Sequence, residues 1–359
     1  AGDDFPNLCR DLAEWSPNLE EDGAWPAAQL RRLAESKVLG WVIPAEYGGS
    51  EISGHQLLTG YEHLASACLT TAFLLTQRNG ACQRIALARN ESLKAELLPR
   101  FLSDEAFPTV GISHLTTSRQ HLAQPAVRAV HGNGAWKLSG TVPWVTGGVA
   151  ADYVVTGGTC EDGRQLLAVV PTATPGVGID EPPRLLALNA TLTGPIVLNE
   201  VSIPERFVIA GPIEQVMKQG AGGGTGSLTT SAMALGAARG VLTRLEEESH
   251  ARADLREVFN SLADERTGIS EATHRAAAAS ESGEADPFAD PQCSPESIRQ
   301  RANSLVLRVA QAYLAASKGA GFVAGHPAER AVREAMFFLV WSCPAPVLAA
   351  NLREFACLI

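Results

Sequence analysis

Between residues 109 and 212 the apolar pattern of this 359-residue chain leaves the helical period, and after residue 212 it returns to it. The middle block holds short β-rich runs. Ala126–Val130 is the first, and His131-Gly132-Asn133-Gly134 follows it. Asn-Gly between apolar runs is a strong hairpin signal, because both central residues of a tight hairpin turn need positive φ. Trp136–Leu138, Tyr153–Thr156, Leu166–Pro171 and Ile196–Val201 are further strands, separated by Gly, Pro and Asp turns. Short strands at this spacing predict a small barrel or sandwich.

The flanks read as helix. In residues 1–108 an apolar stripe passes through Leu30, Leu33, Val38 and Leu39, and helices are expected over His55–Ala67, Thr70–Ala88 and Ser92–Leu102. Ile43 through Gly49 is a loop that Pro44 and the paired glycines force out of helix. In residues 213–359 a glycine run, Gly220–Ser227, leads into a helix from Leu228 to about Ala253. The run lacks the Lys-Ser/Thr pair of a phosphate loop and reads better as a connector. Residues 275–297 are acidic, small and Pro-containing, which predicts an exposed linker. Helices then cover Ile298–Ser317 and a segment starting near Pro327. The expected fold class is α+β: an N-terminal helical domain (1–108), a central β-barrel domain (109–212) and a C-terminal helical bundle (213–359).

The net charge of −10 argues against nucleic acid as the main partner, since phosphate neutralisation needs clustered Lys and Arg. The seven cysteines form no CxxC pair, so neither a disulfide framework nor a zinc site is expected, and no His/Cys or carboxylate set has metal spacing. A reducing cytoplasm is the simplest home. Ala1-Gly-Asp-Asp4 shows no signal-peptide pattern, and the longest apolar run, Ala335–Ala350, is broken by Pro344 and Pro346.

Residues 136–148 carry the chemistry. The stretch reads as a strand from Trp136, a turn at Ser139-Gly140 and a return through Trp144, Val145 and Thr146 to Gly147-Gly148. One reading is an ordinary hairpin with a buried indole. The other is a wall for an isoalloxazine ring, which needs an aromatic edge, a hydroxyl for its polar rim and backbone without bulky side chains.

Six strings in order resemble the acyl-CoA dehydrogenase superfamily. They are Pro44-Ala-Glu-Tyr-Gly-Gly49, the stretch Lys94–Pro99, Trp136-Lys-Leu-Ser-Gly-Thr141 with Trp144-Val-Thr146, Val201-Ser-Ile-Pro204, Gly236-Ala-Ala-Arg-Gly240, and Gly319-Ala-Gly-Phe322 followed by His326–Ala335. The resemblance covers nearly the whole chain. It implies a helical–β–helical flavoprotein that binds FAD and oxidises an acyl-CoA-like thioester at its CH–CH group, assembled as a homodimer or homotetramer. In that chemistry a carboxylate removes the α-proton while hydride leaves for the flavin.

The chain departs from the family pattern where a base is needed. Ser342 occupies the usual base position, and the alternative position is Gly226. A serine needs an activating partner to take a proton, and no His–Asp pair is evident. The loop before the flavin wall is His114–His121, in place of the family's small-residue loop. The resemblance assigns Ser113, Trp144, Thr146, Arg252 and Gly319 to the cofactor, the last two at a partner subunit's FAD, and Gln120 and Trp341 to the acyl substrate. Leu255 and Arg256 stand where the family has Phe and Gly after Arg252, so the diphosphate half of the site is weaker than its flavin half. Cys343 reads as a buried apolar thiol or a reactive one, and Glu62 and His63 as structural. The leading expectation is a FAD-dependent oxidoreductase. Its rivals are a flavin-dependent monooxygenase on the same fold and a non-catalytic paralogue lacking the base.

Overall fold

The computed structural model describes residues 4–116, 124–218, 228–282 and 290–358. The architecture is α+β, with helices at both ends of the chain and one eight-stranded sheet between them.

The first helices are α1 (Phe5–Asp22), α2 (Ala27–Glu35), α3 (Gly54–Ala67), α4 (Leu69–Ala86) and α5 (Glu91–Leu97). A capping box starts α3: Ser53 Oγ accepts from Gln56 N, and Ser53 N donates to Gln56 Oε1. The α4 helix is buried on nearly all sides, which explains its mostly uncharged sequence.

The strands are β1 (Pro108–Gly111), β2 (Val127–Gly132), β3 (Ala135–Val145), β4 (Tyr153–Thr159), β5 (Gln165–Pro171), β6 (Val177–Ile179), β7 (Gly194–Pro204) and β8 (Val208–Ile213). Their order is β6-β7-β3-β2-β4-β5-β8, with β1 added parallel to β4. β6 and β8 form the two ends of that order, so the expected barrel is instead an open sheet.

The β2–β3 hairpin turns at Asn133-Gly134, both at positive φ, as the Asn-Gly signal requires. The expected turn at Ser139-Gly140 does not occur. β3 runs unbroken to Val145 and carries a register shift between Leu138 and Gly140. Gly140 sits at φ 139°, where a Cβ would stand 2.1 Å from Ala126 O, so its glycine serves an irregularity in the strand and not a reversal.

After the sheet come α6 (Leu228–Ala251), α7 (Arg256–Ser282), α8 (Pro295–Ser317), α9 (Pro327–Met336) and α10 (Ala345–Phe355). The linker expected over 275–297 is ordered at both ends, since α7 continues through Ser282, Cys293 is buried and α8 has begun by Pro295, while residues 283–289 of it lie outside the described residues. The glycine run and Gly226 lie outside the described residues. Among the described residues no helix is long and apolar enough to cross a membrane.

The α3 and α6 helices pack at close range. A Cβ on Gly236 would meet Glu62 O at 2.4 Å, so only glycine fits there. Glu62, itself buried, accepts from Arg266 Nη2 at 2.8 Å and from Ser270 Oγ at 2.9 Å, and lies 3.3 Å from His274 Nε2. These contacts tie α3 to α7, so the N-terminal and C-terminal groups of helices share one interface.

Candidate functional site

A cavity of about 780 Å³ opens where α4, the cavity-facing end of β3, the 185–193 loop and the corner after α9 meet. That volume lies in the range of small-molecule sites.

One wall comes from β3 and its neighbours. Trp144 lines the cavity with its indole 47% exposed, although most aromatic rings of this size are packed away. Thr146, two residues on, is buried at the cavity wall. Thr146 O accepts from Thr109 Oγ1 at 2.7 Å, and its own hydroxyl accepts from Thr193 Oγ1 at 3.1 Å. Accepting that bond leaves the Thr146 hydroxyl proton to be donated elsewhere. Gly147 N donates to Thr191 O, which latches the 189–193 segment onto the end of β3. Ser113, just past β1, lines the same wall, and its Oγ is buried with no hydrogen-bond partner among the described residues.

A second part of the lining is aromatic. Trp341 stacks on Phe337 with ring centroids 5.2 Å apart, and Phe73 meets Trp341 edge-on at 4.9 Å. Ser342 follows at φ 46°, a left-handed turn that brings the chain round to the cavity. The corner is held from behind by Arg299. This fully buried side chain donates from Nη2 to Phe338 O at 3.1 Å and to Trp341 O at 3.0 Å. Burial pushes its guanidinium down to about 10. Burial likewise pushes the Cys343 thiol up, against the nearby Arg299, so its thiolate is disfavoured.

Of the residues singled out in the sequence, Ser113, Trp144, Thr146, Trp341 and Ser342 therefore meet around one cavity. Arg252 and Gly319 are not among its lining. Arg252 Nη1 donates to Ala316 O at 2.7 Å and Nη2 pairs with Asp254 at 3.2 Å, which places the end of α6 against the end of α8 near Gly319. Gln120 lies outside the described residues.

Sequence reading missed several lining residues. Arg84 and Gln77 on α4, Thr191 and Thr193 in the loop, and Arg333 on α9 all reach the cavity. Arg333 holds Glu329 bidentately through Nε and Nη2, one edge of its guanidinium, and donates from Nη1 to Leu186 O. No Asp or Glu lines the cavity among the described residues. The only signal for Arg84 was its four-residue spacing from Gly80 and seven-residue spacing from Gln77 on one helix.

The acyl-CoA dehydrogenase N-terminal domain pattern matches residues 8–105. The putative acyl-CoA dehydrogenase YdbM of Bacillus subtilis is 25% identical over 194 residues, 53% of this chain and 51% of that protein. The chain spans about half the length of the curated relatives it matches. Among solved structures, butyryl-CoA dehydrogenase from Megasphaera elsdenii superposes with a TM-score of 0.80 at 16% identity, covering 100% of this chain and 99% of that one. KijD3 in complex with FMN and dTDP-3-amino-2,3,6-trideoxy-4-keto-3-methyl-D-glucose gives the same TM-score at 17% identity, covering 99% of this chain and 93% of that one. At such identities the structural likeness establishes the fold.

Proposed function

We propose that the chain is a divergent member of the acyl-CoA dehydrogenase superfamily, and from that premise that it is a FAD-dependent oxidoreductase acting on the CH–CH group of an acyl thioester. The observation that carries this reading is the presence of two unlike sets of residues around one cavity. The Ser113, Trp144 and Thr146 wall suits a flavin ring, and the Phe73, Phe337 and Trp341 wall suits an acyl chain.

The flavin wall passes a test of fit. Ser113 Oγ is a buried polar atom awaiting a partner, the Thr146 hydroxyl has a proton to give, and the Trp144 indole is uncovered. A planar heteroaromatic ring with a polar rim satisfies all three at once. FAD, when bound, supplies a two-electron acceptor. Ser113, Trp144 and Thr146 would hold the ring, with the two hydroxyls as its hydrogen-bond partners, and the aromatic trio would keep water out. Arg252 and the Gly319 turn, at the α6–α8 junction, are proposed to meet the diphosphate of a second subunit's FAD. Leu348, Leu352 and Phe355 are exposed on α10, which supports assembly into a homodimer or homotetramer through the C-terminal helices.

The missing carboxylate favours a second reading. Abstraction of an α-proton needs a base, and Ser342 is a neutral alcohol. Flavin-dependent monooxygenation on the same fold makes no such demand.

The test is spectroscopic. The purified protein is expected to hold yellow flavin and to bleach when mixed anaerobically with an acyl-CoA. A preparation that stays colourless after FAD is added overturns both readings. Retained colour without bleaching at any chain length overturns CH–CH oxidation and leaves monooxygenation, read as substrate-dependent oxygen uptake.

A further inference from the structure

We propose that His55 and His274 form a chelating site for a divalent transition-metal ion of the zinc or copper class, which clamps α3 to α7. The site lies on the helices and needs neither the flavin nor the thioester.

The two imidazoles come from opposite ends of the chain. His55 is the second residue of α3 and is exposed. His274 follows it by 219 residues, on α7, with its side chain 21% exposed. A separation so long displays no ligand spacing in the sequence. The fold sets His55 Nδ1 and His274 Nδ1 3.1 Å apart. Two nitrogens at that separation, each about 2.05 Å from one ion, subtend about 100° at it, between the square-planar and tetrahedral angles.

A hydrogen bond between the rings is the simpler account of the distance, and the placement of the rings separates the two. A linear N–H···N bond sets two imidazoles end to end with centres about 5.4 Å apart, one N···N separation plus two ring radii. Two rings whose lone pairs converge on one ion hold their centres about 4.8 Å apart. The observed centres lie 4.5 Å apart, with the ring planes tilted by 59°. The rings therefore lie more side by side than end to end, as two ligands of one ion do.

The far side of His274 is held as well. Its Nε2 faces Glu62 Oε1 at 3.3 Å, and Glu62 is fixed in turn by Arg266 Nη2 at 2.8 Å and Ser270 Oγ at 2.9 Å. A carboxylate that accepts from Nε2–H leaves the lone pair on Nδ1, and a carboxylate behind the imidazole is the usual support of a ligating histidine. Arg266 is paired with that carboxylate, which offsets its repulsion of an ion. Among the described residues no group of three or more His, Cys, Asp or Glu is placed to hold a metal ion. The protein thus supplies two ligands, and water, which reaches the exposed His55, supplies the rest. Imidazole nitrogen favours zinc and copper over magnesium and calcium, which take oxygen ligands.

The experiment titrates the untagged full chain, freed of metal by a chelator, with zinc chloride in a calorimeter. The expected result is one equivalent bound with a dissociation constant of about 10 μM or less. Saturating zinc is expected to raise the Tm by about 2 °C or more, because the ion binds only the folded clamp. His55→Gln and His274→Gln are each expected to weaken binding by about tenfold or more. His55 is exposed, so its replacement leaves the packing intact and keeps the test open should His274→Gln fail to fold. With copper chloride in place of zinc, electron paramagnetic resonance should show splitting from two nitrogen ligands in the parent and from at most one in either variant. Absence of saturable zinc binding reduces the pair to a hydrogen bond and overturns the proposal. Binding that survives at the parent's affinity in either variant overturns it too, since the ion then sits on other groups, such as the exposed Cys357 thiol.

Discussion

Arg299 Nη2 lies 3.0 Å from the backbone oxygen of Trp341, so a buried cation on α8 fixes the peptide that leads into Ser342. The same nitrogen holds Phe338 O. One side chain thereby pins both ends of the aromatic corner, and that corner decides which groups face the cavity.

Arg299→Lys is expected to destabilise the fold by about 2 kcal/mol, because a single ammonium replaces a planar head that bonds both carbonyls while remaining buried. Denaturant unfolding measures the loss. Trp341 fluorescence should also shift under native conditions, before global unfolding, since the corner loosens first.

Thr146→Val keeps the shape of the flavin wall and removes a hydroxyl that Thr193 bonds at 3.1 Å. One neutral hydrogen bond is worth about 1 kcal/mol, so the FAD dissociation constant should rise several-fold. Flavin fluorescence titration reads it. An unaltered constant would place the ring elsewhere than against β3.

Ser342→Glu puts a carboxylate at the cavity corner. Its φ of 46° makes the substitution no worse than the serine in backbone terms, since both are non-glycine L-residues. If the base is what the site lacks, anaerobic bleaching by acyl-CoA should speed up by on the order of 10²-fold or more. Stopped-flow absorbance checks this.

Glu62→Gln leaves Arg266 buried beside a neutral amide. Breaking such a pair costs about 3–5 kcal/mol, which chemical denaturation would show. The pH dependence follows from the same site. Burial pushes the Glu62 carboxyl up, but His274, Arg266 and Ser270 outweigh it and hold it below the usual carboxylate range. A depressed folded value means that the carboxylate's contribution is complete above the unfolded value and is lost as pH falls through the folded one. Stability should therefore drop on acidification below about 4.5, the unfolded carboxyl range, and the Gln variant should lack that part of the slope.

The helices legible in the sequence were those with a plain apolar pattern, such as α3, expected over His55–Ala67, and α8, expected over Ile298–Ser317. The Asn133-Gly134 turn was legible because positive φ at two successive residues admits few sequences. Gly140 misled for the same reason in reverse: a strand irregularity and a turn ask the same conformational freedom of one residue. The end of α7 was read as linker because its alanines look like low complexity. Alanine is also the best helix former, and Ala272, Ala276 and Ala277 are buried on that helix. Within the cavity, the indole of β3 and the hydroxyl just past it were recognisable by their order. Arg84 was not, because nothing local separates a buried arginine from a solvated one. Only the packing of α4 against β1 and the cavity makes that distinction.

The grip on Glu62 also sets an order of events. The carboxylate belongs to α3, and its partners Arg266 and Ser270 follow it by 204 and 208 residues. During synthesis the early helices leave the ribosome long before those partners exist. Until α7 arrives, α3 must keep Glu62 in water and its packing face unfinished. Closure of the helical interface is therefore a late, long-range step, and a fragment ending at the sheet would hold the wall for the ring without the seal that completes its first helices.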